Sequence, residues 1–138
     1  MFQGWLIKFG DVTLPNSFLD KGGWESSPNQ RLEIDAYRDA NALLHRDTSP
    51  NAKTSITLTL RGMTYEERQA FDTVIGLATL PNSDKIQRRV SITYWNDEEL
   101  DYKTGVFYMA DPKWVINTID EIKKTYEYKP TTIKLTEY

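Results

Sequence analysis

The sequence predicts a mainly β domain with one helix, built as two antiparallel sheets in a sandwich or barrel. Apolar and polar residues alternate over residues 5–37, 54–61 and 88–138, as they do in half-buried strands. One segment, residues 64–77, instead has the apolar spacing of a helix and interrupts this alternation. A chain of 138 residues can bury its own core, so we expect residues 1–138 to form a single domain.

The first predicted strands are short and are separated by turn-forming residues. Alternation predicts strands over residues 3–9, 12–14 and 31–37. Residues 15–24 contain a Gly-Gly pair and are predicted to be a loop. A second loop is predicted over residues 39–53, because Asp, Ser, Pro and Asn residues break the alternation there. This second loop is longer than the usual hairpin connection of about 2 to 5 residues.

The helix has signals at both ends. Thr64 and Glu67 have the spacing of a capping box, in which each side chain bonds the backbone N–H of the other residue. Gly76 is the residue type that most often ends a helix. Apolar side chains recur between these signals at helical spacing and predict one buried face: Phe71, Val74, Ile75 and Ala78.

The second half of the chain returns to strand patterns. The segments over residues 88–95 and 101–109 form a predicted hairpin across an Asn-Asp turn. Three shorter strands are predicted after it, over residues 114–119, 123–128 and 130–138. The inward positions of the strands and the helix predict a core made of Ile34, Ile56, Leu58, Leu60, Phe71, Ile75, Val90, Ile92, Ile133 and Leu135.

Composition excludes several kinds of site. The sequence has no cysteine and one histidine, so it cannot form disulfides, thiolate metal sites or a histidine cluster. That histidine, His45, lies in a polar segment without a nucleophile signature, and we expect it to be a solvated surface residue. The formal charge of −3, from 17 basic and 20 acidic residues, does not indicate stable nucleic-acid binding. We predict that the protein is not an enzyme and has no cofactor and no metal site. We also predict no membrane partner, since no apolar run reaches roughly 18 residues.

An acidic cluster surrounds the Asn-Asp turn. It consists of Asp97, Glu98, Glu99 and Asp101. Calcium prefers several oxygen ligands on a bent loop, but this spacing matches no calcium-loop signature and lacks the glycine that permits a sharp bend. We therefore expect a solvated hairpin tip.

The outward faces of the predicted strands are rich in small hydroxylated and acidic residues. These candidate lumen-facing residues are Glu33, Asp35, Ser55, Thr57, Thr59, Ser91 and Thr93. An exposed sheet usually protects itself with charge, and with lysine above all. A smooth face of this kind suits a water-filled lumen through which a polymer slides without sticking. An ordinary solvated antiparallel face remains an equal alternative.

The order of these elements resembles the tail-tube fold. Two antiparallel sheets, one helix between the middle strands and a long loop after the second strand are similar to phage tail-tube, distal-tail, tube-initiator and baseplate proteins. The tubes of contractile injection systems share this arrangement. Residues 108–114 (YMADPKW) and 131–138 (TTIKLTEY) also resemble small uncharacterised phage proteins of Gram-positive hosts.

The resemblance implies a structural, non-catalytic component of a phage or phage-like tail. Such a protein forms a ring with itself, commonly a hexamer, and stacks on other tail or baseplate proteins. It is made in the cytoplasm of the bacterial host and resides in the virion tail. DNA or a tape-measure protein passes through the lumen without binding stably.

We interpret the long loop over residues 39–53 as an inter-subunit arm. It is longer than two strands need, and its leucines would otherwise expose apolar surface. The residues predicted to contact a neighbouring subunit are Leu43, Leu44, His45 and Pro50. One alternative stays open, in which both leucines fold back onto their own subunit.

A second function class also fits the sequence. A β-sandwich binding module could dock a host glycan or another virion protein through an aromatic side chain at its surface. The candidate residues for such a contact are Trp24, Trp95 and Trp114.

Overall fold

The computed structural model describes residues 1–76 and 88–138, apart from the side chains of residues 32–36 and 46–51. Within this part the chain forms nine strands, one α-helix and a short 3-10 helix at Asn16–Phe18. In chain order the elements are β1 (Ile7–Phe9), β2 (Val12–Thr13), β3 (Leu19–Arg38), β4 (Leu44–Leu60), α1 (Tyr65–Ile75), β5 (Arg89–Asn96), β6 (Asp101–Met109), β7 (Ile116–Asp120), β8 (Thr125–Tyr128) and β9 (Thr131–Glu137).

Seven of these strands form one antiparallel sheet, in the order β2-β1-β5-β6-β9-β4-β3. The remaining two, β7 and β8, form a separate hairpin. The prediction of a mainly β fold with one helix and antiparallel sheets is confirmed. Within the described residues the hydrogen-bonded ladder does not close into a barrel, since β2 and β3 are its two edges.

The large sheet curls until its two halves face each other. The Thr54 hydroxyl on β4 lies 2.9 Å from the Tyr94 hydroxyl on β5. These strands are three spacings apart in the sheet, which would be about 14 Å if the sheet were flat. Asn96, the last residue of β5, likewise reaches Asn29 on β3, with 3.2 Å between the two side-chain amides. The curl therefore gives one sheet the layered shape of a sandwich.

The core lies between the two halves of the curled sheet and under α1. It combines alternate residues of β1, β4, β5, β6 and β9 with the inner face of the helix. Nine of the ten predicted core residues are buried: Ile56, Leu58, Leu60, Phe71, Ile75, Val90, Ile92, Ile133 and Leu135. The tenth, Ile34, has its side chain outside the described residues. The period-two and helical spacings thus identified the inward faces correctly.

The helix starts at the predicted capping box. The Glu67 N–H donates to the Thr64 hydroxyl at 3.4 Å, and the Thr64 N–H donates to the Glu67 carboxylate at 3.3 Å. At the other end Gly76 has a φ of 68°, a left-handed conformation that favours glycine. The predicted last residues, 77 and 78, lie outside the described residues. No helix in the described part of the chain is long and apolar enough to span a membrane.

Both predicted loops in the first half of the chain are wrong over most of their length. Residues 19–24 belong to β3, and residues 44–53 belong to β4. The turn-forming residues are accommodated by bulges: Leu19 pairs with Leu60 and Trp24 with Leu58, so the Gly22-Gly23 pair lies in an irregular stretch of β3. Pairing between two long strands therefore outweighs local turn propensity.

The acidic turn between β5 and β6 is solvent-exposed, as predicted, and it also contacts β3. Because the sheet curls, the turn lies against β3, where Asp97 accepts a hydrogen bond from Trp24 Nε1 at 3.3 Å and another from the Ser26 hydroxyl. Arg31 pairs with Glu98 at 2.9 Å. The hydrogen bond from Arg31 lowers the pKa of the Glu98 carboxyl below its ordinary value. The turn thus supports β3 from the opposite half of the sheet.

Leu58 tests the assigned strand register. It is fully buried and pairs with Ile133 on β9. We expect Leu58→Ala to lower the free energy of unfolding by roughly 2 to 5 kcal/mol, measured by urea denaturation, because it leaves a cavity in the core. The control is Thr59→Ala on the outer face, which should cost less than about 1 kcal/mol. Equal losses in the two variants would contradict the register.

Thr64 tests the helix start. Thr64→Ala removes the side-chain acceptor for the Glu67 N–H and should lower the free energy of unfolding by about 0.5 to 2 kcal/mol. Thr64→Ser keeps the hydroxyl and should melt close to the wild-type protein. An unchanged melting curve for the alanine variant would show that the cap does not stabilise the helix.

The ion pair between Glu67 and Arg61 should contribute to the free energy of unfolding in a way that depends on pH. The pKa of Glu67 is lowered chiefly by a hydrogen bond from Arg61, with further help from the Thr64 N–H. The contribution is therefore complete above the ordinary pKa of glutamate and is lost as the pH falls through the lowered folded-state pKa. We expect Glu67→Gln to lose less stability than the wild-type protein between neutral and acidic pH in chemical denaturation. Parallel pH profiles for the two proteins would overturn this assignment.

Candidate assembly site

The outer parts of β3 and β4 form a ribbon that leaves the body of the sheet. We call residues 30–53 the ribbon. β4 pairs with β9 from Ser55 to Leu60, so beyond Ser55 its ladder continues with β3 alone within the described residues. β3 is itself an edge of the sheet. Both long edges of the ribbon therefore present backbone N–H and C=O groups without a ladder partner in the described part of the chain.

Asp39 organises the turn at the tip of the ribbon. Its carboxylate accepts hydrogen bonds from the Asn41 N–H at 2.9 Å and the Leu43 N–H at 3.1 Å. The second carboxylate oxygen lies 3.0 Å from His45 Nε2. These bonds, that from His45 first, lower the pKa of the Asp39 carboxyl. Ala42 occupies the left-handed position of the turn with a φ of 62°.

The tip carries the apolar surface that the sequence predicted to be an assembly contact. Leu43 is 63% exposed and Leu44 is 46% exposed, so neither folds back onto the body of its own chain. Tyr37 is 57% exposed and stacks on His45, with 4.8 Å between ring centroids and 8° between ring planes. The tip is therefore an ordered cluster of exposed apolar and aromatic groups.

Pro50 lies within β4 rather than in a loop. Glu33 pairs with Thr48 and Arg31 with Ala52, so two steps along β3 match four along β4. The additional residues of β4 form a bulge, and Pro50 lies within it. A bulge suits proline because its missing N–H then removes no ladder hydrogen bond. The side chain of Pro50 is outside the described residues.

The predicted polar face lies outside the core as expected. Ser55, Thr57 and Thr59 alternate with buried residues of β4, and Ser91 and Thr93 alternate with buried residues of β5. Their cross-strand neighbours continue the hydroxylated surface: Thr132 and Thr136 on β9 face Thr59 and Ser55, and the Thr104 hydroxyl lies 2.8 Å from that of Thr93. On the outer faces of β5, β6, β9 and β4 these hydroxyls share one surface with Val106, Tyr108 and Lys134.

Glu33 and Asp35 complete the predicted lumen-facing set. Their backbones lie in the ribbon, opposite Thr48 and Asp47. Their side chains are outside the described residues, so the prediction for these two residues falls there. The role of the whole set in lining a lumen stays a prediction.

The three tryptophans of the binding-module alternative pack against their own chain. Trp24 bonds Asp97, as described above. Trp95 stacks on Phe2 and meets Tyr102 edge-on, each with 5.2 Å between ring centroids. The Arg68 guanidinium lies 3.7 Å from the ring centroid of Trp114, and the ring centroids of Trp114 and Tyr128 are 5.3 Å apart. All three rings therefore contribute to packing within the fold.

One cavity of about 490 Å³ lies beside the helix, and another of about 680 Å³ lies against the β7–β8 hairpin. The first of these contains the larger number of charged pairs that the structure describes. Two arginines line it, and each pairs with an aspartate: Arg68 with Asp72 at 3.0 Å and Arg88 with Asp111 at 3.4 Å. Both guanidinium charges thus have a carboxylate nearby, while Arg88 Nε is buried and has no hydrogen-bond partner among the described residues. No group of three or more metal-ligating side chains occurs among the side chains that the structure describes.

Sequence reasoning missed Tyr37 and Asp39 as parts of the tip. The available signal was the position of turn-forming Asp39 and Asn41 between two alternating segments, which is typical of a hairpin. The length of the apparent loop concealed that signal. The aromatic pair formed by Tyr37 and His45 follows directly once those residues face each other across the hairpin.

Comparison with known proteins gives one match. Searches of curated proteins and of solved structures find no match to this chain. One family model matches residues 1–138, which is the full length of the sequence given. The chain therefore belongs to the family described as "Family of unknown function (DUF6711)".

Proposed function

We propose that this protein is a structural, non-catalytic subunit of a phage or phage-like tail that assembles with itself into a ring. The observation that carries the proposal is the ribbon, which has an exposed apolar tip and two edges without a ladder partner among the described residues. A two-stranded hairpin is marginally stable in water by itself. A partner that covers the tip and pairs with an edge would bury the exposed apolar surface and satisfy the unpaired backbone groups.

A second copy of the chain is the partner that fits this geometry. The ribbon tip and the rest of the sheet are different surfaces of one chain, so contact between them in neighbouring copies is heterologous. A heterologous contact repeated around an axis closes into a ring when the rotation from one copy to the next fits a whole number of times into a full turn. Edge-to-edge pairing of ribbons or sheets also gives every subunit the same two neighbours.

The polar outer face supports a lumen in that ring. Its described members are serines and threonines such as Ser55, Thr57 and Thr93, which bind water readily and carry no charge. A polyanion such as DNA would be neither captured nor repelled strongly by such a surface.

The tail-tube type is proposed from the order of the elements. In this chain a long hairpin occupies the place where the resemblance implies a long loop, and it provides the reach that an inter-subunit contact needs. The resemblance in the order of elements covers tube, tube-initiator, distal-tail and baseplate rings alike. We propose a hexameric ring in the virion tail, formed after synthesis in the bacterial host cytoplasm.

Negative-stain electron microscopy of the purified wild-type protein tests the function directly. Rings with a central hole at high protein concentration, with a matching mass by light scattering, are the expected result. A monomer at every concentration would contradict the proposal. A monomer that also binds an immobilised glycan array would favour the binding-module alternative instead.

The double variant Leu43→Ser, Leu44→Ser tests the ribbon tip. Both side chains are exposed in the single chain, so the variant should fold and melt like the wild-type protein. It should lose rings, because the apolar contact with the neighbouring subunit is removed. The measurements are electron microscopy, light scattering and a thermal melt.

Leu100→Ser provides the matched control. Leu100 is 66% exposed and lies in the turn between β5 and β6, away from the ribbon tip. Rings should persist in this variant. Rings that also persist in the double serine variant would show that the tip is not an assembly contact.

A further inference from the structure

The two halves of the large sheet separate at the base of the ribbon. β9 lies between β4 and β6, but it pairs with β6 from Phe107 to Met109 and with β4 from Ser55 to Leu60. Beyond those residues β4 and β6 diverge, and β9 ends with Glu137. The ribbon therefore begins where β9, the strand between β4 and β6, ends.

The Glu137 side chain continues the ladder for one more step. Its Oε1 atom accepts a hydrogen bond of 2.9 Å from the Thr54 N–H, the first amide of β4 beyond the β9 pairing. The other carboxylate oxygen lies against Gly105 on β6, where a Cβ atom would collide with it. The carboxylate thus fills the space between β4 and β6 that a further strand residue would otherwise occupy.

Three buried polar residues lie on the core side of the same gap between β4 and β6. Asn29, Thr54 and Asn96 are each less than 10% exposed. The Asn29 side-chain oxygen accepts hydrogen bonds from Asn96 at 3.2 Å and from Lys103 on β6 at 3.3 Å. The Asn29 N–H donates to the Thr54 hydroxyl at 3.2 Å. These bonds join the base of the ribbon to both strands of the β5–β6 hairpin.

We propose that Glu137, with Asn29, Thr54, Asn96 and Lys103, forms a clasp that fixes the angle at which the ribbon leaves the body. Glu137 is its positioning residue, since it alone among the five comes from the strand that joins the two halves. The role of this angle in building a ring rests on the proposed function. The clasp itself is a property of the single chain.

The length of the ribbon makes its angle important. Ten residues separate Thr54 from the tip on β4, a distance of about 33 Å in an extended strand. A tilt of about 10° at the base would therefore move the tip by about 6 Å, more than the reach of a side-chain contact. Small changes at the clasp are thus amplified at the assembly surface.

Distance measurements between two spin labels test the clasp in the full chain. The sequence has no cysteine, so Asn41→Cys at the tip and Ser91→Cys on β5 would be the sole labelling sites. Both positions are exposed. We expect one narrow distance distribution in the otherwise wild-type protein, and a shifted or broader distribution after Glu137→Ala.

Glu137→Gln is the matched control, because its side-chain oxygen can still accept from the Thr54 N–H. It should keep the narrow distribution. Gly105→Ala is a second route to the open clasp, since it displaces the carboxylate without changing any hydrogen-bonding group. It should resemble Glu137→Ala.

Amide exchange provides a local measurement that global stability does not determine. The Thr54 amide should exchange about tenfold faster or more in Glu137→Ala than in Glu137→Gln, while amides in the centre of β5 change little. Unchanged distances and unchanged Thr54 exchange in Glu137→Ala would overturn the clasp, whether or not the protein forms rings. An open clasp with rings like those of the wild-type protein would show that the ribbon angle does not control assembly.

Discussion

The fold depends on β9, which holds the two halves of the large sheet together. This strand pairs with β4 on one side and β6 on the other, and its inward side chains Ile133 and Leu135 are buried. The remaining strands reach one another through local hairpins, except for β1 with β5. The curl of the sheet, the contact of the acidic turn with β3 and the enclosed core all require the junction that β9 provides.

The ribbon is the part of β3 and β4 that lies beyond the end of β9. Where β9 pairs on both sides, the sheet is continuous and its core is buried. Where β9 stops, β3 and β4 continue alone, and their edges and tip face solvent in the single chain. Among the described residues β4 is thus paired on both sides in the body and on one side in the ribbon, so the same molecule has a buried core and an additional open edge. That contrast is what we expect of a subunit built for assembly.

Local physics made much of this fold predictable. Alternation identified the inner faces of β4, β5 and β9, and a capping box identified the start of α1 because its partners are three residues apart. The outer polar face followed from the same period. The ribbon could not be predicted in this way, since pairing across the hairpin overrides the turn propensity of residues such as Pro50. The contact of Asp97 with Trp24 depends on the curl, which no local pattern records.

The position of β9 in the chain has a consequence for synthesis. The other described strands leave the ribosome earlier, and Ser55 must wait for Thr136, 81 positions later, before it can pair with β9. Until then β4 and β6 both have an open edge toward the place that β9 will fill. Long sequence separation of this kind slows folding and leaves edges available to other chains. The tip of the ribbon is thus synthesised before β9, the strand at whose end the ribbon begins.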